Sequence, residues 1–169
     1  MQNIAVTNAL QCGYLQVPFS PLVTHGFLDL ADFAAVAAAI LRARPSAHAQ
    51  TRYELVGDLA SYRDVAQWLS ESARMPVTIQ RVDRDTAVQR QVQSGRLRDA
   101  YGCDALARMI SYYEEQCVLI RWVLFLNRVQ PSYKNFPPSG LTGSLNTLRW
   151  LLGREPLSVK RYIAREARI

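Results

Sequence analysis

Apolar residues recur at intervals of three and four along GFLDLADFAAVAAAIL, residues 26–41. Phe33, Val36, Ala37, Ile40 and Leu41 share one face of a helix, and Asp32 is placed to open it. The period then changes. Beyond a polar loop that carries His48, Tyr53–Val56 alternates as a short strand, and Gly57 and Asp58 turn the chain. Ser61 with Asp64 three residues later has the form of a capping box. The helix it opens places Tyr62, Val65, Trp68 and Leu69 on its apolar side, and Pro76 precedes a second strand, Val77–Val82.

The flanks follow the same logic. Met1–Leu10 reads as the end of a helix, and Gly13–Phe19 and Thr24–Leu28 as extended segments around Pro18 and Pro21. Asp83–Arg98 alternates charges with few anchors (Val88, Val92, Leu97) and predicts an exposed helix. Asp104–Gln116 is more strongly periodic, with Leu106, Met109, Ile110 and Tyr113 on one face. Pro156 stops a later helix, and Ser158 caps a last one carrying Val159, Tyr162 and Ile163. The fold class predicted is α/β with helix predominating and a few short strands.

Composition narrows the function classes. At 169 residues and 49% hydrophobic, the chain has material for one modest core. The net charge is +6, yet only Lys134 and Lys160 are lysines, and the arginines are dispersed among acids. No basic run marks a surface that tracks phosphates, which argues against nucleic acid as a partner. Cys12, Cys103 and Cys117 lack metal-ligand spacing, and three cysteines do not make a disulfide framework; reduced, buried thiols in a cytoplasmic protein are the expectation. The longest apolar run, Cys117–Leu126, is broken by Arg121 and too short to span a bilayer, so no membrane role is expected.

Candidate chemistry is sparse. Asp29 and Asp32 invite reading as an acid/base pair, but helix capping and the first-turn dipole account for both. His48 is expected in solvent. No G-x-x-G-x-x-G follows a strand, so no helix N-terminus is prepared for a pyrophosphate. Neither lysine has a tyrosine four residues before it, so the Tyr-x-x-x-Lys pair is absent as well. No catalytic residue, metal site or cofactor site is assigned within the chain.

The order of acidic cap, Ala-rich helix, "YEL-G" strand, helix and "PV" strand resembles the second half of the NmrA-like family of atypical short-chain dehydrogenases. Met1-Gln2-Asn3-Ile4 is similar to that family's F-M-x-N segment. LTGSLNTLRWLLGREP, residues 141–156, resembles its closing G-N-P-N-x-L-x-W-L-L-G-R-x-P, with Ser144-Leu145 in place of Asn-Pro. The resemblance covers roughly 1–82, 101–116 and 140–165, and it is of fungal type. It implies a single substrate-side domain over 1–169, an incomplete Rossmann-type fold lacking its dinucleotide-binding half. NAD(P)H is then the cofactor of the full-length family and not of this chain. Residues 117–139 have no counterpart, and their removal joins Gln116 to Gly140 in a continuous family-like sequence. A retained intron is one explanation and a true insertion the other.

Three functions follow from the resemblance. The first is a truncated NAD(P)-dependent reductase or dehydrogenase of fungal secondary-metabolite biosynthesis, with Met1, Asn3, Phe19 and His25 contributing to the pocket of a small-molecule substrate. The second is a redox-sensing regulator that binds a transcription factor. The third is a cofactor-free isomerase or cyclase, for which Asp29, Asp32, His25 and Tyr53 are the nearby acid/base candidates. The face around Tyr53, Leu55, Val77 and Ile79 is expected to need cover, from a second copy or a partner chain.

Overall fold

A computed structural model describes residues 1, 4–95, 97–112 and 144–168. The elements are α1 (Val6–Cys12), β1 (Tyr14–Val17), β2 (Thr24–Phe27), α2 (Leu30–Arg42), α3 (Pro45–His48), β3 (Asp58–Ser61), α4 (Tyr62–Ala73), β4 (Thr78–Arg81), α5 (Arg84–Gln93), α6 (residues 100–112), α7 (Leu145–Leu152) and α8 (Val159–Glu166). The architecture is the expected helix-rich α/β, with two small sheets. β1 pairs with β4 in parallel, Leu15 opposite Ile79, and β2 pairs with β3 antiparallel, His25 opposite Ala60. Asn3, Tyr113, Cys117 and the 117–139 segment with its Gln116–Gly140 seam lie outside the described residues.

α4 is the central helix. Its capping box forms as expected: the Ser61 hydroxyl accepts from the Asp64 N–H at 3.2 Å, and the Asp64 carboxylate accepts from the Ser61 N–H at 2.8 Å. Val65 and Leu69 are fully buried among Leu15 and Val17 of β1, Val6 and Ala9 of α1, Val77, and Val159, Tyr162 and Ile163 of α8. Each such side chain contributes about 1.5–3 kcal/mol by leaving water. One helix thereby binds the first strand to the last helix.

Several boundaries differ from the sequence expectation. α2 is opened by Asp29, whose side chain accepts from the Ala31 N–H, and not by Asp32. The reason is that Asp32 is bound elsewhere: its carboxylate, buried in the first turn, accepts from Arg154 Nη2 and from the Leu157 N–H, both at 2.7 Å. The buried stripe of α2 rotates accordingly. Val36 is covered, but Phe33 is 48% and Leu41 86% exposed, because α7 packs on α2 from one side only. Leu30, Phe33 and Leu41 leave an apolar stripe of α2 open.

The strand expected at Tyr53–Val56 lies at Asp58–Ser61 instead. β2 is four residues long and its ladder is filled by β3, so residues 53–56 have no strand to pair with among the described residues. Their alternation is still used, since Val56 is buried and Tyr53 and Leu55 are half-buried. The face that includes Val77 and Ile79 is similarly covered, Val77 fully and Ile79 in part. Gly57 lies where its N–H donates to Phe27 O at 2.8 Å, and a Cβ there would meet that oxygen at 3.2 Å and Leu148 at 3.4 Å.

The first helix starts at Val6 and runs to Cys12, whereas Met1–Leu10 was expected to be a helix end. Met1 and Ile4 form a hydrogen-bonded turn that sends both side chains into the core. Cys12 is exposed and bonded to Asn8 one turn earlier, so it is not the buried thiol expected; Cys103 is half-buried. α6 starts at residue 100, earlier than Asp104, because the Asp99 carboxylate accepts from the Gly102 N–H at 2.6 Å. Ile110 is buried on it and Met109 exposed.

Removal of the Asp32 carboxylate leaves the Leu157 N–H without its acceptor. Asp32→Ala is therefore expected to lose about 2–3 kcal/mol of stability, and Asp32→Asn, which keeps one acceptor oxygen, less. Urea unfolding of the three proteins measures this; a loss under about 0.5 kcal/mol for Asp32→Ala would show that the tie carries no weight.

Candidate functional site

α1 ends at Gly13, which takes a left-handed φ of 74° while its N–H donates to Ala9 O. The chain reverses there with no intervening loop, and Tyr14 opens β1 directly. Asn8 and Ala9 of α1 consequently face the same space as Tyr14 and Gln16 of β1. The far end of β4 is fixed by the Val82 N–H donating to Val17 O at 3.0 Å. Asp83 then caps α5, accepting from the Thr86 N–H at 2.8 Å and the Thr86 hydroxyl at 2.6 Å. Those two bonds hold the Asp83 carboxyl below its ordinary range. α5 thus passes beside β1, and an Arg84 Nη1 bond to Ser111 Oγ at 3.3 Å ties it to α6.

The space between α1, β1, α5 and α6 is a cavity of about 410 Å³, within the usual range for small-molecule sites. Ala9, Leu15, Val17, Phe19, Tyr62, Leu106 and Ile110 supply an apolar lining; Asn8, Tyr14, Gln16, Arg90, Gln91 and Ser94 supply polar groups. Gln16 Nε2 donates to Gln80 Oε1 at 3.2 Å, and Arg90 Nη1 donates to Gln16 Oε1. Among the described residues no carboxylate lines the cavity. The lining can bind and orient a flat apolar molecule with a hydrogen-bonding end; among the described residues it presents no acid/base pair.

The residues singled out from sequence are placed as follows. Phe19 lines the cavity. His25 is buried behind it, 4% exposed, with ring centroids 4.9 Å from Phe19 and 5.6 Å from Tyr62. Met1 is in the core, and its amine donates to Leu28 O. Asn3 lies outside the described residues. Asp29, Asp32 and Tyr53 do not line the cavity: Asp29 caps α2, Asp32 holds Arg154 and Leu157, and Tyr53 Oη bonds His48 Nδ1 at 2.8 Å. His48 is therefore bonded and half-buried rather than freely solvated. Asn8, Gln16, Arg90 and Gln91 were not found from sequence. The signal for α5 was an exposed charged helix, and nothing in its periodicity shows that one edge borders a cavity. Among the described residues no three His, Cys, Asp or Glu side chains are grouped to hold a metal ion, and no helix is long and apolar enough to cross a membrane.

No family model matches the chain, and no curated protein matches its sequence. Solved structures do match its fold. The NADPH-dependent quinone oxidoreductase of Escherichia coli, complexed with NADPH, is 18% identical with a TM-score of 0.63, over 96% of this chain and 48% of that one. Triphenylmethane reductase of Citrobacter sp., complexed with NADP(H), is 16% identical with a TM-score of 0.62, over 96% and 47%. A nucleoside-diphosphate-sugar epimerase of Staphylococcus aureus is 15% identical with a TM-score of 0.61, over 94% and 46%. The chain spans about half the length of each. Its fold matches about half of each of these Rossmann-like structures.

Burial lowers the His25 pKa from 6.5 to about 4, so the folded protein keeps the ring neutral where the unfolded chain protonates it. Stability from this source is complete above pH 6.5, falls as the pH drops towards 4, and levels off below. The slope is expected to approach about 1.4 kcal/mol per pH unit in that window. Urea unfolding at pH 7 and pH 5 measures it. His25→Phe, which removes the titrating ring, should flatten the difference relative to the parent; an unchanged difference would show that the ring does not titrate on unfolding.

Proposed function

We propose that this chain is the substrate-side portion of an NmrA-like, NAD(P)-dependent reductase, and that the cavity between α1, β1, α5 and α6 is its substrate pocket. The observation that supports this best is the match of nearly the whole chain to about half of two reductases whose structures hold NADP(H) or NADPH. The β1–β4 pair supports it independently. Parallel strands are usually found in larger sheets covered on both faces, and two short parallel strands have the form of an edge that a larger sheet continues. On this reading the dinucleotide-binding portion belongs to sequence outside these 169 residues, and the cofactor supplies the hydride chemistry. The chain binds and orients the acceptor. Phe19 and Tyr62 form the floor, and Gln16, Arg90 and Gln91 form the polar rim.

Three finer attributes rest on the sequence resemblance, a fungal setting, secondary metabolism and a chain shortened relative to its family, and a cytoplasmic location rests on the cysteine usage. Cover by a second copy or a partner chain belongs to the same reading, and the open stripe of Leu30, Phe33 and Leu41 is compatible with it.

The test compares the 169-residue chain with the longest product of its gene. NADPH binding is measured by titration and turnover by loss of reduced-nicotinamide absorbance, with a quinone and a triphenylmethane dye as acceptors. The longer product is expected to bind NADPH and reduce an acceptor, and the shorter chain to do neither. NADPH binding by the shorter chain, or a gene product no longer than it, would overturn the division of roles. Binding without turnover of any acceptor would favour the redox-sensing function.

A further inference from the structure

Arg90 is the one charged side chain among the described residues that line the cavity. It makes no ion pair among the described residues; its partner is the neutral amide oxygen of Gln16. Gln16 is in turn held by Gln80, so the guanidinium is positioned at the rim by a chain of neutral hydrogen bonds that no carboxylate among the described residues terminates. A guanidinium offers five donors in a planar fork matched to a carboxylate, and a single amide oxygen uses only part of that capacity. Behind it the lining is aromatic and aliphatic, with Phe19 and Tyr62 packed edge to face at 5.2 Å between centroids. His25 is neutral at pH 7 and adds no competing positive charge below the floor.

We infer that the cavity selects a small planar molecule carrying one carboxylate, the acid group on Arg90 and the ring system over Phe19 and Tyr62. This deepens the reading of the cavity as a substrate pocket and rests on it for the ligand's role, though the binding itself needs no cofactor. The ligand's carboxylate takes the place of the Gln16 amide oxygen on Arg90, and Gln16 keeps its bond to Gln80. Selection comes from the exchange of a neutral acceptor for a charged one, which forms the stronger hydrogen bond.

Calorimetric titration of the 169-residue chain with 2-naphthoate and with its uncharged isostere 2-naphthamide tests this. The acid is expected to bind at least about tenfold more tightly than the amide, with a preference that shrinks as salt is added, because Arg90 is exposed. Arg90→Gln should abolish the preference; as an exposed change it should not unfold the protein. Ala87→Trp, which fills the cavity from α5, should remove binding of both probes while an unchanged unfolding midpoint confirms the fold. Equal affinity for the two probes, no binding of either, a preference that survives Arg90→Gln, or binding that survives Ala87→Trp in the folded protein would each overturn the inference. The two readings fail separately. Acid-selective binding by a protein whose longer form ignores NADPH would leave the anion site and remove the reductase; NADPH-dependent turnover with no acid preference would do the reverse.

Discussion

Two carboxylate ties, one buried and one half-buried, hold distant parts of this fold together. Asp32, in the first turn of α2, accepts from Arg154 and from the Leu157 N–H, 122 and 125 residues away in sequence. Asp58, at the start of β3, accepts from the Val159 N–H at 2.8 Å, at the opening of α8. Between them they fix the path of 154–159, and so the placement of α8 against α4. Without that placement Val159, Tyr162 and Ile163 would leave the core, and α4 would lose cover on one side. The exposed half of the Asp32–Arg154 pair matters less than the backbone bond. A surface ion pair is worth under about 1 kcal/mol, whereas a buried N–H stripped of its acceptor costs about 1–3.

The cavity depends on this arrangement indirectly. Tyr62 is the first residue of α4, and its ring is held by Phe19, His25 and Phe27, all within 5.8 Å between centroids. That aromatic group is the wall between the core and the cavity. The turn at Gly13 and the cap at Asp83 bring in the other two walls, one from α1 and one from α5. The site is therefore assembled from elements adjacent in sequence on one side, α1 with β1, and from a crossover on the other, β4 to α5. Its floor is rigid because it belongs to the core, while its rim is on an exposed helix with no buried residue.

Much of the fold was legible in the sequence because local chemistry decided it. The Ser61–Asp64 box, the Ser158 cap and the charged α5 required no tertiary information. Where the reading failed, a distant partner had intervened. Asp32 has the sequence signature of a cap, but Arg154 and Leu157 take its oxygens, and the cap passes to Asp29. Tyr53–Val56 alternates like a strand, but pairing is decided by which segment reaches β2 in register, and that was Asp58–Ser61. Phe33 and Leu41 fit a buried stripe by period alone; α7 covers a different face. The cavity was the least legible part. Asn8, Gln16 and Arg90 are ordinary polar residues on three separate elements, and only the fold brings them to one space.

The structural relatives share the fold at 15–18% identity, and the residues here that the backbone itself demands are few. Gly13 and Gly153 adopt left-handed conformations at helix ends, and Gly57 lies where a side chain would meet Phe27 O. Such positions constrain topology and say nothing about ligand chemistry. The rim of the cavity has the opposite character. Arg90, Gln91 and Ser94 border the cavity from a helix with no buried residue, so their identity can change with little cost to folding. In a scaffold of this kind the core fixes the position of the cavity, and the surface helix supplies part of its rim. It is on α5, and not at the turns, that the rim of this cavity can vary without disturbing the fold.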